Sequence, residues 1–104
     1  MERVQVPLRA GLIGCGSLGR VHTDCLSKID EMKMVAFCDL DEQRAERLCR
    51  EFGGQYATAD VDRLLEDDTL DAIYVCTQHD SHAELCVRAL EAGKHVMVEK
   101  PLAL

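Results

Sequence analysis

The sequence has no apolar run long enough to cross a membrane, and its opening stretch "MERVQVPLRA" lacks the apolar h-region that a secretory signal needs. It has no C-x-x-C pair and no finger-like ligand spacing, so no zinc module is indicated. Cationic residues are scarce: 12 Lys and Arg stand against 19 Asp and Glu, a formal charge of -7. A surface of that sign repels phosphate backbones and anionic bilayers, which argues against nucleic acid and membranes as partners. Repeats, linkers and low-complexity tracts are absent, and no Ser-His-Asp grouping or metal-ligand cluster stands out. At 104 residues the chain is one small domain, large enough for a packed core and short for a complete two-domain enzyme.

What is present fits a soluble globular fold, with 47% hydrophobic and 30% charged residues. Six cysteines (Cys15, Cys25, Cys38, Cys49, Cys76, Cys86) are spread about one per structural element and read as reduced, mostly buried thiols of a cytoplasmic protein. Cys15 is the one candidate for reactivity, should a helix N-terminus lower its pKa.

Hydrophobic periodicity divides the chain into alternating strands and helices. "VPLRAGLIG" (Val6 to Gly14) reads as a strand, and Leu18, Val21, His22, Cys25, Leu26 and Ile29 then recur at helical spacing. "MKMVAFCD" (Met32 to Asp39) is a second strand and Asp41 to Phe52 a helix with Ala45, Leu48, Cys49 and Phe52 on one face, stopped by Gly53 and Gly54. A short third strand is expected at Gln55 to Ala59 and a helical turn or two over Asp60 to Asp67. "LDAIYVCT" (Leu70 to Thr77) is a nearly continuous apolar strand, as expected of one covered on both faces. Ser81 with Glu84 suggests a capping box for a helix through Ala92, and "KHVMVEKP" (Lys94 to Pro101) is the fifth strand and its exit. This alternation predicts a doubly wound parallel α/β sheet. The chain stops at "PLAL", where such a fold would begin another helix, so a fragment or isolated domain is expected.

Within "GLIGCGSLGR", Gly14, Gly16 and Gly19 fall on the spacing G-x-G-x-x-G, between a strand and a helix. Gly14 would allow the tight turn, Gly16 close approach of a pyrophosphate and Gly19 close packing of the helix, with amides at the helix start (Ser17, Leu18) facing the phosphates. Asp39 closes the second strand 20 positions after Gly19, where a carboxylate accepts hydrogen bonds from a ribose 2′-hydroxyl. A 2′-phosphate would meet that carboxylate, and no Arg or Lys stands at Leu40 or Asp41; the nearest cation in sequence is Arg44. NAD is therefore expected over NADP.

The ends of the fourth and fifth strands open onto the same crevice and carry "CTQHDSH" and "VEKPLAL". Lys100 precedes Pro101 and is held to an extended backbone, which makes it a candidate catalytic cation. His79 and His82 are weighed beside it, His82 as a second catalytic candidate. His22, His95 and Tyr74 read as packing or surface residues, and no metal site is expected.

"GLIGCGSLGRVH", Asp39, "SHAELCVRALEAGKHV" and above all "EKPLAL" resemble the N-terminal domain of the glucose-fructose oxidoreductase, inositol dehydrogenase and rhizopine-catabolism (Gfo/Idh/MocA) family. The resemblance implies hydride transfer between a nicotinamide cofactor and a sugar, polyol or related hydroxy compound. It places Lys100 beside nicotinamide and substrate, Glu99 on the cofactor side, and Thr77 to His82, including His79, along the nicotinamide ribose. The family loop often reads Thr-Pro-Asn where this chain has Thr77-Gln78-His79. Further catalytic residues would come from a C-terminal α+β domain not contained in this sequence. An NAD-dependent glycoside hydrolase of the same broad family and a non-catalytic NAD/NADH sensor are the alternatives. Self-association is expected, because a chain ending at Leu104 leaves an edge beyond the fifth strand.

Overall fold

The computed structural model describes residues 7–77 and 79–98, with the side chains of 79–82 left aside. Its elements alternate strictly: β1 (Leu8–Ile13), α1 (Ser17–Ser27), β2 (Met32–Cys38), α2 (Glu42–Phe52), β3 (Tyr56–Thr58), α3 (Val61–Leu65), β4 (Ala72–Val75), α4 (His79–Glu91) and β5 (His95–Val98). The strands form one parallel sheet in the order β3-β2-β1-β4-β5. β1 is central, and the order reverses on either side of it, as in a doubly wound fold.

Burial explains why the central strands carry so little polarity. Met34 to Cys38 in β2 and all of β4 are buried, since helices cover both faces. One core gathers Val35, Leu64, Ile73, Val75, Leu85 and Ala89 under α3 and α4; the other gathers Leu12, Phe37, Ala45, Leu48 and Tyr74 under α1 and α2. The sheet is tied at long range: β1 pairs with β4 from Ala10↔Ala72 to Ile13↔Val75.

The helix starts differ in a way that bears on function. The Asp41 carboxylate accepts from the Gln43 amide at 3.1 Å to cap α2, and that of Asp60 accepts from the Asp62 amide at 2.9 Å to cap α3. The N-cap of α1 is Gly16, and no side chain caps that helix. Its first amides are left for something else.

Three expectations need correction. α4 begins at His79, so Ser81 lies inside the helix and cannot form the capping box with Glu84. α1 turns Gly19, Thr23 and Leu26 toward the protein, whereas Leu18 and Val21 are half exposed. Gly19 faces inward because α1 runs too close to the turn before it to admit a side chain there. Cys25, on the outer side of the same helix, is exposed rather than buried.

Candidate dinucleotide-binding site

The glycine turn sits where β1 ends between β2 and β4, at the carboxyl edge of the sheet. Gly14 adopts φ +101°, and a side chain there would also meet the backbone of Cys76 at 2.6 Å and of Thr77 at 3.1 Å. A Cβ on Gly19 would stand 2.1 Å from the Gly14 carbonyl oxygen, so α1 can start this close to the strand only with glycine there. Around Gly16 the surroundings are open: among the described residues nothing beyond the adjoining chain lies within 4 Å of where a Cβ would be.

Three hydrogen bonds fasten this turn to the end of β2. The Gly14 amide donates to the Cys38 carbonyl at 2.8 Å, and the Cys15 thiol donates to the same oxygen at 3.3 Å. The Cys15 amide donates to Asp39 Oδ2 at 2.7 Å. Asp39 Oδ1 accepts from the Asp41 amide at 2.8 Å, an Asx turn that leads the chain from β2 into α2. Each carboxylate oxygen thus accepts one bond and retains capacity for another, since an ionised carboxylate offers about four lone-pair sites.

The thiol beside this carboxylate is held in its protonated form. Burial, then the neighbouring Asp39 charge, push Cys15 up to about 12, against an ordinary value of 9.0. Cys38 is raised to about 11 by burial, with Asp39 and Asp60 adding to it. Desolvation and the facing Asp39 anion thus oppose the lowering that a helix N-terminus would bring. Leu40, the residue after Asp39, is 94% exposed, and the Arg44 guanidinium turns to Asp41, with Nε 3.7 Å from Oδ2.

Of the residues singled out from sequence, Gly14, Gly16, Ser17, Leu18, Gly19, Asp39 and Thr77 are gathered at this one edge. His79 and His82 lie in the first turn of α4, with their side chains outside what is described; Glu99 and Lys100 fall outside the described residues altogether. Sequence reading missed the part played by the Cys15 amide, a backbone group with no signature. It also took Asp41 as the first helical residue where it is the cap, a role that an Asp before a helix could have signalled. His22, read as a packing or surface residue, is half-buried, its Nδ1 3.0 Å from the Tyr74 hydroxyl. Among the described residues no group of His, Cys, Asp and Glu could hold a metal ion, and no helix is long and apolar enough to cross a membrane.

A doubly wound parallel sheet with a glycine turn at its switch point, an uncapped helix start and an acidic residue ending β2 defines a dinucleotide-binding domain. Residues 8–104 match the family described as "Oxidoreductase family, NAD-binding Rossmann fold". The chain belongs to this family, Gfo/Idh/MocA. It is 37% identical over 97 residues to the myo-inositol 2-dehydrogenase of Thermotoga maritima, covering 93% of this chain and 29% of that protein. Among solved structures it resembles the Lactobacillus casei myo-inositol dehydrogenase in complex with NAD(H) and myo-inositol (TM-score 0.83, 34% identity, 92% of this chain and 29% of that one). It resembles equally the 3-ketoreductase KijD10 of Actinomadura kijaniata with NADP and TDP-benzene (TM-score 0.85, 38% identity, 93% and 30%). The chain thus spans under a third of the length of the relatives it matches.

Proposed function

We propose that this chain forms the cofactor-binding part of a dehydrogenase that moves hydride between NAD and a sugar, polyol or related hydroxy compound. The observation that carries this reading is the uncapped start of α1 beside the fixed carboxylate of Asp39. The residues fit a dinucleotide: the amides of Ser17 and Leu18 would meet the pyrophosphate, Gly16 leaves room for it, and Asp39 would accept from the adenosine ribose. When bound, the nicotinamide supplies the hydride acceptor or donor. The domain's own work is to bind and orient. Names of relatives support the substrate class, among them inositol 2-dehydrogenases and a glucose-6-phosphate 3-dehydrogenase.

NAD is preferred over NADP in this reading, because Asp39 would face a 2′-phosphate with like charge while Arg44 is engaged with Asp41. Titration calorimetry tests it: NADH should bind more tightly than NADPH, and equal or tighter binding of NADPH overturns the preference. Lys100 is proposed as the catalytic cation, stabilising a developing alkoxide or taking its proton, with His82 as a second candidate and His79, Thr77 and Glu99 on the cofactor side. In the full-length enzyme Lys100→Met should lower kcat by at least about a hundredfold with NAD affinity little changed. Net reduction of added NAD by a polyol separates this reading from a hydrolase that returns the hydride. A cytoplasmic location fits six free thiols. Self-association is proposed through the β5 edge and the exposed Val87, Leu90 and Val98, to be checked by light scattering.

A further inference from the structure

We propose that Asp39 is also the latch of the phosphate-binding turn, a positioning residue for the pyrophosphate as well as a ligand of the ribose; the proposal rests on the dinucleotide reading above.

The argument starts from where the Cys15 amide points. A glycine turn that cradles phosphate does so through backbone N–H groups, and whether these converge depends on the backbone path of four or five residues. In this chain the Cys15 amide is committed inward, 2.7 Å from Asp39 Oδ2. It is therefore spent on shape and is not among the amides offered to the ligand. Its direction helps fix the peptide planes that follow, through Gly16 to the open start of α1. The other two fastenings, from the Gly14 amide and the Cys15 thiol, both end on the single carbonyl of Cys38. Asp39 is the side chain that holds the Cys15 amide.

The same carboxylate grips the Asp41 amide with its other oxygen. It thereby joins two loops, the glycine turn after β1 and the turn from β2 into α2, across the end of the sheet. The ligand's two recognition elements, phosphate cradle and ribose acceptor, are mechanically one unit. It follows that exchanging Asp39 to admit a 2′-phosphate removes the like charge and slackens the cradle together. The first effect favours NADP, and the second penalises NAD and NADP alike.

The test separates these effects with 2′,3′-dideoxyadenosine diphosphate, which keeps the diphosphate and has no ribose hydroxyl for Asp39 to bind. Asp39→Asn removes the charge and one acceptor, its single carbonyl oxygen able to accept from the Cys15 amide while the Asp41 bond is given up; Asp39→Ala removes both. Asp39→Asn should bind the dideoxy ligand at least as tightly as the native protein, and Asp39→Ala about tenfold more weakly than Asp39→Asn, the scale of one lost charge-site hydrogen bond's ordering effect. Equal affinity in Asn and Ala variants overturns the latch. If the native protein binds neither NADH nor ADP, the dinucleotide reading fails instead.

Amide hydrogen exchange in the native protein supplies a second readout that does not depend on the Ala variant folding. Without ligand, the Cys15 amide should be protected and those of Ser17 and Leu18 exchange readily, becoming protected when NADH is added. A Cys15 amide that exchanges as fast as Ser17 and Leu18 before ligand is added overturns the proposal.

Discussion

The two edges of the sheet solve opposite problems with the same kinds of groups. At the amino edge, polar atoms are closed off against one another. Lys94 is buried, and its ammonium donates to the carbonyls of Asp67 at 2.7 Å and Leu70 at 3.0 Å, tying the start of β5 to the loop before β4. Asp67 accepts from the Tyr56 hydroxyl and from Thr69, while Arg9 reaches the Thr69 carbonyl and its amide meets Asp71. At the carboxyl edge, amides at the start of α1 are left without a capping side chain, next to a carboxylate with spare acceptor capacity. A cation and several hydroxyls close one end for stability, and glycines and a carboxylate hold the other end open for a ligand.

The sharpest way to break this contrast is at Gly19. Gly19→Ala places a methyl group 2.1 Å from the Gly14 carbonyl, so α1 must retreat from the turn and its amides lose convergence. NADH affinity should fall by about a hundredfold or more, equivalent to two charge-assisted hydrogen bonds, read by calorimetry. Lys94→Met attacks the other end, leaving two carbonyls without their donor. Stability to urea should fall by roughly 3 kcal/mol while NADH affinity changes less than about twofold. Were Lys94→Met to weaken NADH as strongly as Gly19→Ala does, the two edges would not be separable.

Thiol chemistry sharpens the comparison further. Cys15 and Cys38 border the open edge, yet their raised thiols and burial leave them almost wholly protonated at neutral pH. Cys25 should be alkylated first, with Cys15 and Cys38 slower by more than about tenfold, as followed by mass spectrometry of the folded protein. Rapid modification of Cys15 would mean that the turn opens in solution.

The smallest effect concerns acid. Burial alone would raise the Asp67 carboxyl, but hydrogen bonds from Thr69 and Tyr56, with Lys94 nearby, outweigh it and hold the group below its ordinary 3.8. A depressed carboxyl contributes stability that is complete above the ordinary value and is lost as the pH falls below it. Asp67→Asn should therefore flatten the acid limb of the stability profile measured by urea titration, and leave its neutral plateau only slightly lower. An unchanged acid limb would show that Asp67 is not among the groups closing that edge.

Much of this was legible before any coordinates. Strand and helix order followed from hydrophobic period, and the glycine spacing with Asp39 located the site, because glycines and a strand-end carboxylate are side-chain features. What escaped was of another kind. The bond between Asp39 and the Cys15 amide belongs to the backbone, which leaves no mark in composition. Lys94 read as the polar start of a strand; its burial depends on two carbonyls from a loop 24 and 27 positions away. The face of α1 was misjudged as well. The helical period was carried by the larger residues, whereas the inward face is that of Gly19, whose close packing the glycine spacing did foretell, and of Thr23.

The placement of Gly14 against Cys76 and Thr77 has a consequence for the order in which the molecule assembles. The turn and its β2 fastenings connect residues about two dozen positions apart, but its third wall arrives with β4, whose pairing to β1 closes a loop of 62 residues between Arg9 and Asp71. Contacts that span so much chain are entropically expensive and tend to form late. The cradle is thus completed only near the end of folding, after most of the sheet is in place. A ligand that needs all three walls gains its full hold only then, so a dinucleotide should slow unfolding far more than it speeds folding.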